Sequence, residues 1–255
     1  TIQFLTPFPP VASGIAQYSR DLIAAMPPDW KLDVILESGS AEIESAPFQT
    51  IELKQYDPKA PTIVQLGNSS HHRLAFDVGR RGPSVNVLHD VVLHHALLGE
   101  FIRRNNGGTY VRVMEHYYGD RGREVAVEAL RGRLPTDLWE MPLFEPFVHR
   151  AAAVIVHNST ARSRIIERDP GADVRRVPMG IPLPRLIDQQ LARRALGLPA
   201  QAFVVASVTH VNPYKRMPIV LRALRRLAAR APELLFVAAG SVAPGIDLER
   251  QSHVL

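Results

Sequence analysis

The chain contains no cysteine among its 255 residues. This absence excludes a disulfide scaffold, a zinc–thiolate site and a cysteine nucleophile. Long apolar runs are also missing, because a run such as Ala151–Val156 falls far short of the ~20 residues that a membrane-spanning helix needs. The first residues, Thr1–Thr6, lack the charged segment that opens a signal peptide. We therefore expect a cytoplasmic protein.

Lysine is scarce: the 30 basic residues include only Lys31, Lys54, Lys59 and Lys215. The charge is also uneven, since residues 1–150 carry 15 basic and 18 acidic side chains, a balance of −3. Residues 151–255 carry 15 basic and 7 acidic side chains, a balance of +8, and the net charge is +5. The basic C-terminal part predicts an anionic partner: a phosphate-bearing small molecule, a nucleic acid or a membrane surface. Nucleic acid ranks lowest, because no basic stretch is interleaved with aromatic residues.

Short apolar runs bounded by turn residues alternate with amphipathic segments. This alternation predicts an α/β fold with buried parallel strands, which bind ligands at their C-terminal ends. The predicted strands are Ile2–Thr6, Leu32–Glu37, Thr62–Leu66, Val85–His89, Ala153–His157, Val204–Val208 and Leu234–Ala239. The predicted helices are Ile15–Met26, His71–Arg80, Val91–Arg104, Tyr110–Tyr118, Glu124–Leu130, Thr160–Arg168, Asp188–Leu196 and Met217–Ala231.

A proline-rich stretch, Val177–Pro184, interrupts the pattern. Proline fixes the backbone φ angle and removes a hydrogen-bond donor, so this stretch predicts a linker. After it the alternation of helix and strand begins again. We therefore predict two domains, covering residues 1–178 and 179–255.

The first predicted strand leads through the loop Pro7–Gly14 into a helix from Ile15, with Ser13 as the predicted N-cap. A helix N-terminus offers unpaired N–H groups to a phosphate, and a glycine at position 14 lets an anion approach the backbone. The loop has a single glycine, so it is not the dinucleotide-binding fingerprint. An ordinary strand-to-helix turn remains the alternative.

Histidines gather where predicted strands end. In one interpretation, Asn68, His71, His89 and Asp90 line a polar acceptor or sugar pocket, since histidine can donate or accept a proton near neutral pH. In a second, His89 and Asp90 bind a metal together with one histidine of His94–His95, as in a metal-dependent phosphohydrolase. Those enzymes place the His-Asp pair inside a helix, whereas here it follows a predicted strand. In a third, the histidines are core or surface residues without chemistry.

A second candidate anion site follows the predicted strand Val204–Val208. Its loop ends in Lys215 and Arg216 at the start of a helix, where backbone N–H groups and fixed cations converge. The alternative is a solvated pair of charges.

Taken in order, these segments resemble the retaining nucleotide-sugar glycosyltransferases of the GT-B fold, of the group 1 or family 4 type. The segments that carry the resemblance are Pro9–Ser19, Gly67–Ser69, Val87–His95, Val154–Ser159, Val177–Ile181 and Ser207–Arg216. The resemblance implies two Rossmann-like doubly wound domains facing a cleft. The N-terminal domain is expected to take the acceptor, and the C-terminal domain, incomplete in this chain, to hold the nucleotide sugar.

The same resemblance implies roles for individual residues. Gly14, His210, Lys215 and Arg216 match positions near the donor diphosphate, and many members have arginine where this chain has His210. His89 matches the histidine that contacts the transferred sugar and is therefore the expected catalytic residue.

Cofactors and partners follow from these roles. No essential metal is expected, because basic side chains neutralise the departing diphosphate. The expected partners are a nucleotide-sugar donor and an acceptor that is a glycan, a lipid-linked molecule or a small molecule. Peripheral contact with a membrane is part of this expectation, and nucleic acid is not. The alternatives are the metal-dependent phosphohydrolase and a non-enzymatic module that binds anionic lipid or a protein partner through its basic region.

Overall fold

The structure, a computed structural model, describes residues 1–36, 48–133, 140–248 and 250. The chain divides into two compact units, Thr1–Pro182 and Leu183–Leu255. The division falls inside the proline-rich stretch. The acceptor-binding and donor-binding roles of the two domains stay predictions.

The first unit is built on a parallel sheet, which confirms the α/β class. Its seven strands, within the described residues, are β1 (Ile2–Thr6), β2 (Leu32–Leu36), β3 (Gln49–Ile51), β4 (Thr62–Leu66), β5 (Val85–Leu88), β6 (Ala153–Val156) and β7 (Val174–Arg176). The strand order is β3-β2-β1-β4-β5-β6-β7. The order reverses between β1 and β4, and such a switch point is where Rossmann-like sheets bind their ligands.

Both faces of this sheet are covered. Neighbouring residues of a strand point to opposite faces, and the buried neighbours Phe4 and Leu5 belong to two different core clusters. The helices of the first unit are α1 (Gly14–Ala24), α2 (Arg73–Gly79), α3 (His94–Arg103), α4 (Gly107–Leu130) and α5 (Ser159–Arg168). Helix α1 packs on β1, α2 on β4, and α5 on β6 and β7.

The sequence pattern found five of these strands and missed the two edge strands. Strands β3 and β7 are each three residues long, and two of the three residues in each are polar or exposed, so they carry no apolar run to detect. The predicted end of the second strand, Glu37, lies outside the described residues.

Helix α4 is a hairpin of two antiparallel halves. A straight helix of its 24 residues would hold its ends about 36 Å apart. Instead, a Cβ atom built on Gly107 would lie 3.1 Å from Leu130 Cδ1. The chain reverses at Gly119, whose φ of 64° and ψ of −154° are not helical. The two helices predicted on either side of this residue therefore correspond to the two halves of the hairpin.

An ion-pair network joins α2 to α3. Arg104 bonds Asp77 at 2.7 Å and the buried carboxylate of Glu100 at 2.5 Å, and Arg103 bonds Glu100 at 2.6 Å. Burial acts to raise the pKa of Asp77, but the hydrogen bond and charge of Arg104 hold it below its ordinary value. The network fixes the two helices that begin just after the loops following β4 and β5.

The second unit is smaller. Its elements, within the described part of the chain, are α6 (Gln189–Ala195), β8 (Phe203–Val208), α7 (Met217–Ala228) and β9 (Leu234–Ala239), and β8 pairs with β9 in parallel. Its core centres on Val211, Met217 and Leu221. Across both units, no helix in the described ranges is long and apolar enough to cross a bilayer.

The reversal in α4 gives a stability prediction. Gly119→Ala is expected to lower the free energy of unfolding by ~1–3 kcal/mol, because its backbone region is one that essentially only glycine adopts. Gly99→Ala is the matched control: Gly99 lies within α3 with open space around a built Cβ, so alanine is expected to stabilise the helix by ~0.5–1 kcal/mol. Urea unfolding followed by tryptophan fluorescence measures both, since Trp30 belongs to the first unit. Equal effects of the two changes would contradict the hairpin.

Candidate functional site

Three neighbouring strands end in one row at the carboxyl edge of the first sheet. Leu66 of β4 pairs with Leu88 of β5, and Leu88 pairs with Val156 of β6. The next residue of each strand is therefore Gly67, His89 and His157. Parallel register thus brings together two histidines that lie far apart in sequence.

Tyr18 joins these histidines from α1. Its ring centroid lies 5.0 Å from that of His89 and 5.6 Å from that of His157, in edge-on contacts. The two histidine rings are 4.7 Å apart. Both histidines and Tyr18 are half-buried, so the three rings form one packed cluster at the sheet edge.

Each histidine of the cluster is held by one hydrogen bond. His89 donates from Nε2 to the side-chain oxygen of Gln65 at 2.6 Å, and His157 donates from Nδ1 to the carbonyl oxygen of Val177 at 2.9 Å. The opposite nitrogens, His89 Nδ1 and His157 Nε2, are buried without a hydrogen-bond partner in the described structure. A buried polar atom left unpaired costs ~1–3 kcal/mol, so this arrangement points to a functional role rather than to a stabilising one.

Burial keeps His89 neutral. Desolvation, helped by the nearby His157 and His72, lowers the pKa of His89 to about 3. At physiological pH the ring therefore offers one N–H donor and one lone pair. It is suited to hydrogen bonding with a neutral group and not to carrying positive charge.

The loops after β4 and β5 are tied to each other. The backbone N–H of Asn68 donates to Asp90 Oδ2 at 2.8 Å, and Asn68 Oδ1 accepts the backbone N–H of Ala96, in the first turn of α3, at 2.9 Å. A Cβ atom on Gly67 would lie 2.3 Å from Ile15 Cδ1 and 3.4 Å from Asp90 Oδ2. Glycine at position 67 therefore permits the close approach of α1 to this loop.

A pocket of about 470 Å³ opens beside His89. Its lining residues are Asn68, Leu88, His89, Asp90, Val91, Val92, Asn158, Thr160 and Ala161. Three of the residues predicted for a polar pocket, Asn68, His89 and Asp90, thus lie together. His71 is exposed and does not belong to this lining.

The prediction from sequence missed His157 and Tyr18. His157 follows a buried strand just as His89 does, so the rule that found His89 could have found it. Tyr18 lies one turn into α1, and no sequence signal separates it from an ordinary packing residue.

Two other histidines serve the core. His94 is fully buried and bonds the hydroxyl of Tyr110 at 2.5 Å and the carbonyl oxygen of Met141 at 2.7 Å. His72 is also fully buried, and desolvation lowers its pKa to about 4. Both side chains therefore lie in the core of the first unit.

The structure also bears on the metal-binding interpretation. Among the described residues, no three histidine, aspartate or glutamate side chains group as a metal site. His89 Nε2 is engaged by Gln65, and Asp90 Oδ2 by the backbone of Asn68.

Gly14 is the first residue of α1 and is exposed. Ser13 is the N-cap, as predicted, and its hydroxyl accepts the N–H of Ile15 at 3.2 Å. A Cβ atom on Gly14 would meet no atom within 4 Å, so the space above the residue is open to a ligand.

The basic loop of the second unit is exposed. Asn212 Oδ1 accepts the N–H of Tyr214 at 3.1 Å and starts a single helical turn that ends at Lys215. Arg216 has a φ of 51° and precedes α7. His210 Nδ1 lies 2.7 Å from Ser241 Oγ, which joins the loops after β8 and β9. The side chains of His210, Lys215 and Arg216 are all accessible to solvent.

Comparison with known proteins gives one partial similarity. The chain is 33% identical over 126 residues to a D-inositol 3-phosphate glycosyltransferase of Salinispora arenicola (strain CNS-205). The similarity covers 44% of this chain, and the chain spans only 28% of the length of that relative. No protein-family model matches the chain.

The buried state of His89 predicts a pH dependence of stability. An unfolded histidine binds its proton near pH 6.5, whereas folded His89 does so near 3. As the pH falls below 6.5, the unfolded state gains a proton that the folded state does not. The free energy of unfolding therefore falls by about 1.4 kcal/mol per pH unit on account of this residue.

Urea unfolding at pH 7.5 and 5.5 measures this effect. In His89→Gln, which cannot titrate, the loss of stability between the two pH values should be smaller than in the wild type by about 1.4 kcal/mol. The control His149→Gln changes an exposed histidine and should lose as much as the wild type. If His89→Gln lost as much unfolding free energy between the two pH values as the wild type, the prediction for His89 would be wrong.

Proposed function

We propose that the chain acts in a retaining glycosyltransferase of the GT-B fold, which moves a sugar from a nucleotide-diphosphate sugar to an acceptor. The observation that carries the proposal is the polar pocket beside neutral His89, at the carboxyl edge of a Rossmann-like sheet. The similarity to a glycosyltransferase over part of the chain supports it. The proposal includes a cytoplasmic location, with a membrane surface as a peripheral partner.

In this proposal, His89 contacts the transferred sugar. Its neutral ring donates from Nε2 to Gln65, so the unpaired Nδ1 is left to accept a hydrogen bond from a sugar hydroxyl. The Tyr18 and His157 rings pack against it and fix its orientation, which is the condition for a precise contact. Asn68 and Asp90 add polar groups to the same pocket. His71 has no part in that pocket.

The diphosphate is assigned to other residues. As the bond between the anomeric carbon and the diphosphate oxygen breaks, negative charge builds on the diphosphate. Fixed cations and backbone N–H groups stabilise such charge without rearrangement. The proposal gives this task to Lys215, Arg216 and His210 of the second unit. The role of Gly14 near the donor diphosphate stays a prediction from the resemblance. No essential metal is proposed, since these groups neutralise the leaving group.

In the proposed transfer, one bond forms and one bond breaks at the anomeric carbon of the sugar. The acceptor hydroxyl oxygen bonds to the anomeric carbon on the face that the diphosphate leaves, and the hydroxyl proton passes to the departing diphosphate. The anomeric configuration is thereby retained. The acceptor remains one of the three classes named above: a glycan, a lipid-linked molecule or a small molecule.

A thermal-shift panel tests the donor half of the proposal. The chain is heated with UDP, GDP, ADP and their sugar derivatives. One nucleotide series should raise the melting temperature, because a ligand at 100 times its dissociation constant stabilises the folded state by about 2.7 kcal/mol. No shift with any nucleotide would contradict donor binding by this chain.

Lys215→Ala tests the assignment of the phosphate anchor. Loss of a hydrogen bond to a charged group should weaken nucleoside-diphosphate binding by about tenfold. The matched control is Lys59→Ala, which removes an exposed lysine of the first unit and the same unit of charge. Calorimetry with the nucleotide chosen from the panel gives both affinities. Equal affinities in the two variants would remove Lys215 from the site.

A further inference from the structure

Asp90 places a carboxylate in the pocket beside His89. The side chain is exposed and belongs to the lining. Its position is fixed, because Oδ2 accepts the backbone N–H of Asn68 at 2.8 Å. A carboxylate accepts hydrogen bonds from hydroxyl groups and repels other anions.

Three backbone N–H groups that could hold an anion near this pocket are already hydrogen-bonded to side chains. Helix N-termini near the pocket, at α3 and α5, would ordinarily favour a phosphate. However, Asn68 Oδ1 accepts the N–H of Ala96 in the first turn of α3, at 2.9 Å. Asn158 Oδ1 accepts the N–H of Ala161 in the first turn of α5, at 2.8 Å. The third such group, the N–H of Asn68, is taken by Asp90.

His89 supplies no positive charge to offset the carboxylate, because burial lowers its pKa to about 3. The pocket therefore combines a negative charge with a neutral imidazole, the side chains of two asparagines and the hydroxyl of Thr160. These groups match the hydroxyls of a sugar or cyclitol ring, which both donate and accept hydrogen bonds.

We propose that this pocket binds a neutral polyhydroxylated ring and that Asp90 selects against a phosphorylated one. The inference rests on the proposed function and narrows its substrate class.

Two probes that differ by one phosphate test the proposal: myo-inositol and D-myo-inositol 3-phosphate. Amide chemical-shift changes of the 255-residue chain report binding, with Asn68, Asp90 and Asn158 marking the pocket. The wild type should bind myo-inositol more tightly than its phosphate. Asp90→Asn should raise the affinity for the phosphate relative to that for myo-inositol by about tenfold, because it removes a negative charge from the lining of a solvated pocket.

Asn at position 90 keeps an oxygen that can accept the Asn68 N–H, so the loop should be preserved. Asp29→Asn is the matched control, because it removes one exposed carboxylate elsewhere in the first unit. It should change neither affinity.

Four results would each overturn the proposal. They are tighter binding of the phosphate by the wild type, an unchanged preference in Asp90→Asn, the same gain in Asp29→Asn, and no shift of these amides with either probe. The donor-binding test with nucleotides is separate, so failure here and failure of the proposed function can be told apart.

Discussion

The register of three parallel strands decides which side chains meet at the candidate site. Because Leu66, Leu88 and Val156 are paired across β4, β5 and β6, the residues that follow them emerge in one row. Glycine in the first position leaves room for α1, and histidine in the other two gives the site its polar atoms. A slip of one residue in either pairing would send those side chains to the other face of the sheet.

The two units offer different chemistry at the ends of their strands. In the first, helix-capping asparagines and a buried histidine produce a pocket that hydrogen-bonds without positive charge. In the second, Lys215 and Arg216 stand exposed at the start of α7. This division agrees with the proposed transfer, in which a neutral ring and an anionic leaving group need different surroundings.

Much of the fold could be predicted because buried parallel strands are continuous apolar runs. Strands β1, β4 and β9 were predicted with the bounds that they have in the structure. The edge strands β3 and β7 could not be found, because each has three residues, pairs with one neighbouring strand only and contains no continuous apolar run. The reversal within α4 was visible as a gap between two amphipathic segments, but the antiparallel packing of its halves depends on contacts such as Gly107 with Leu130.

The site was predictable to the extent that it follows strand ends. Asn68, His89 and Asp90 satisfied that rule and line one pocket. His94 lies near them in sequence, but its ring enters the core because Tyr110 and Met141 supply its partners. Those partners are distant along the chain, so sequence alone could not separate a core histidine from a pocket histidine.

The central claim is that His89 presents a neutral ring to a bound sugar or cyclitol. The most direct test is a long-range ¹H–¹⁵N spectrum of the histidine-labelled chain at pH 5.5, recorded with and without myo-inositol. The account predicts a neutral His89 that carries its proton on Nε2, and an Nδ1 resonance that moves when myo-inositol is added. A His89 ring that is doubly protonated at pH 5.5, with resonances that do not shift when myo-inositol is added, would contradict it.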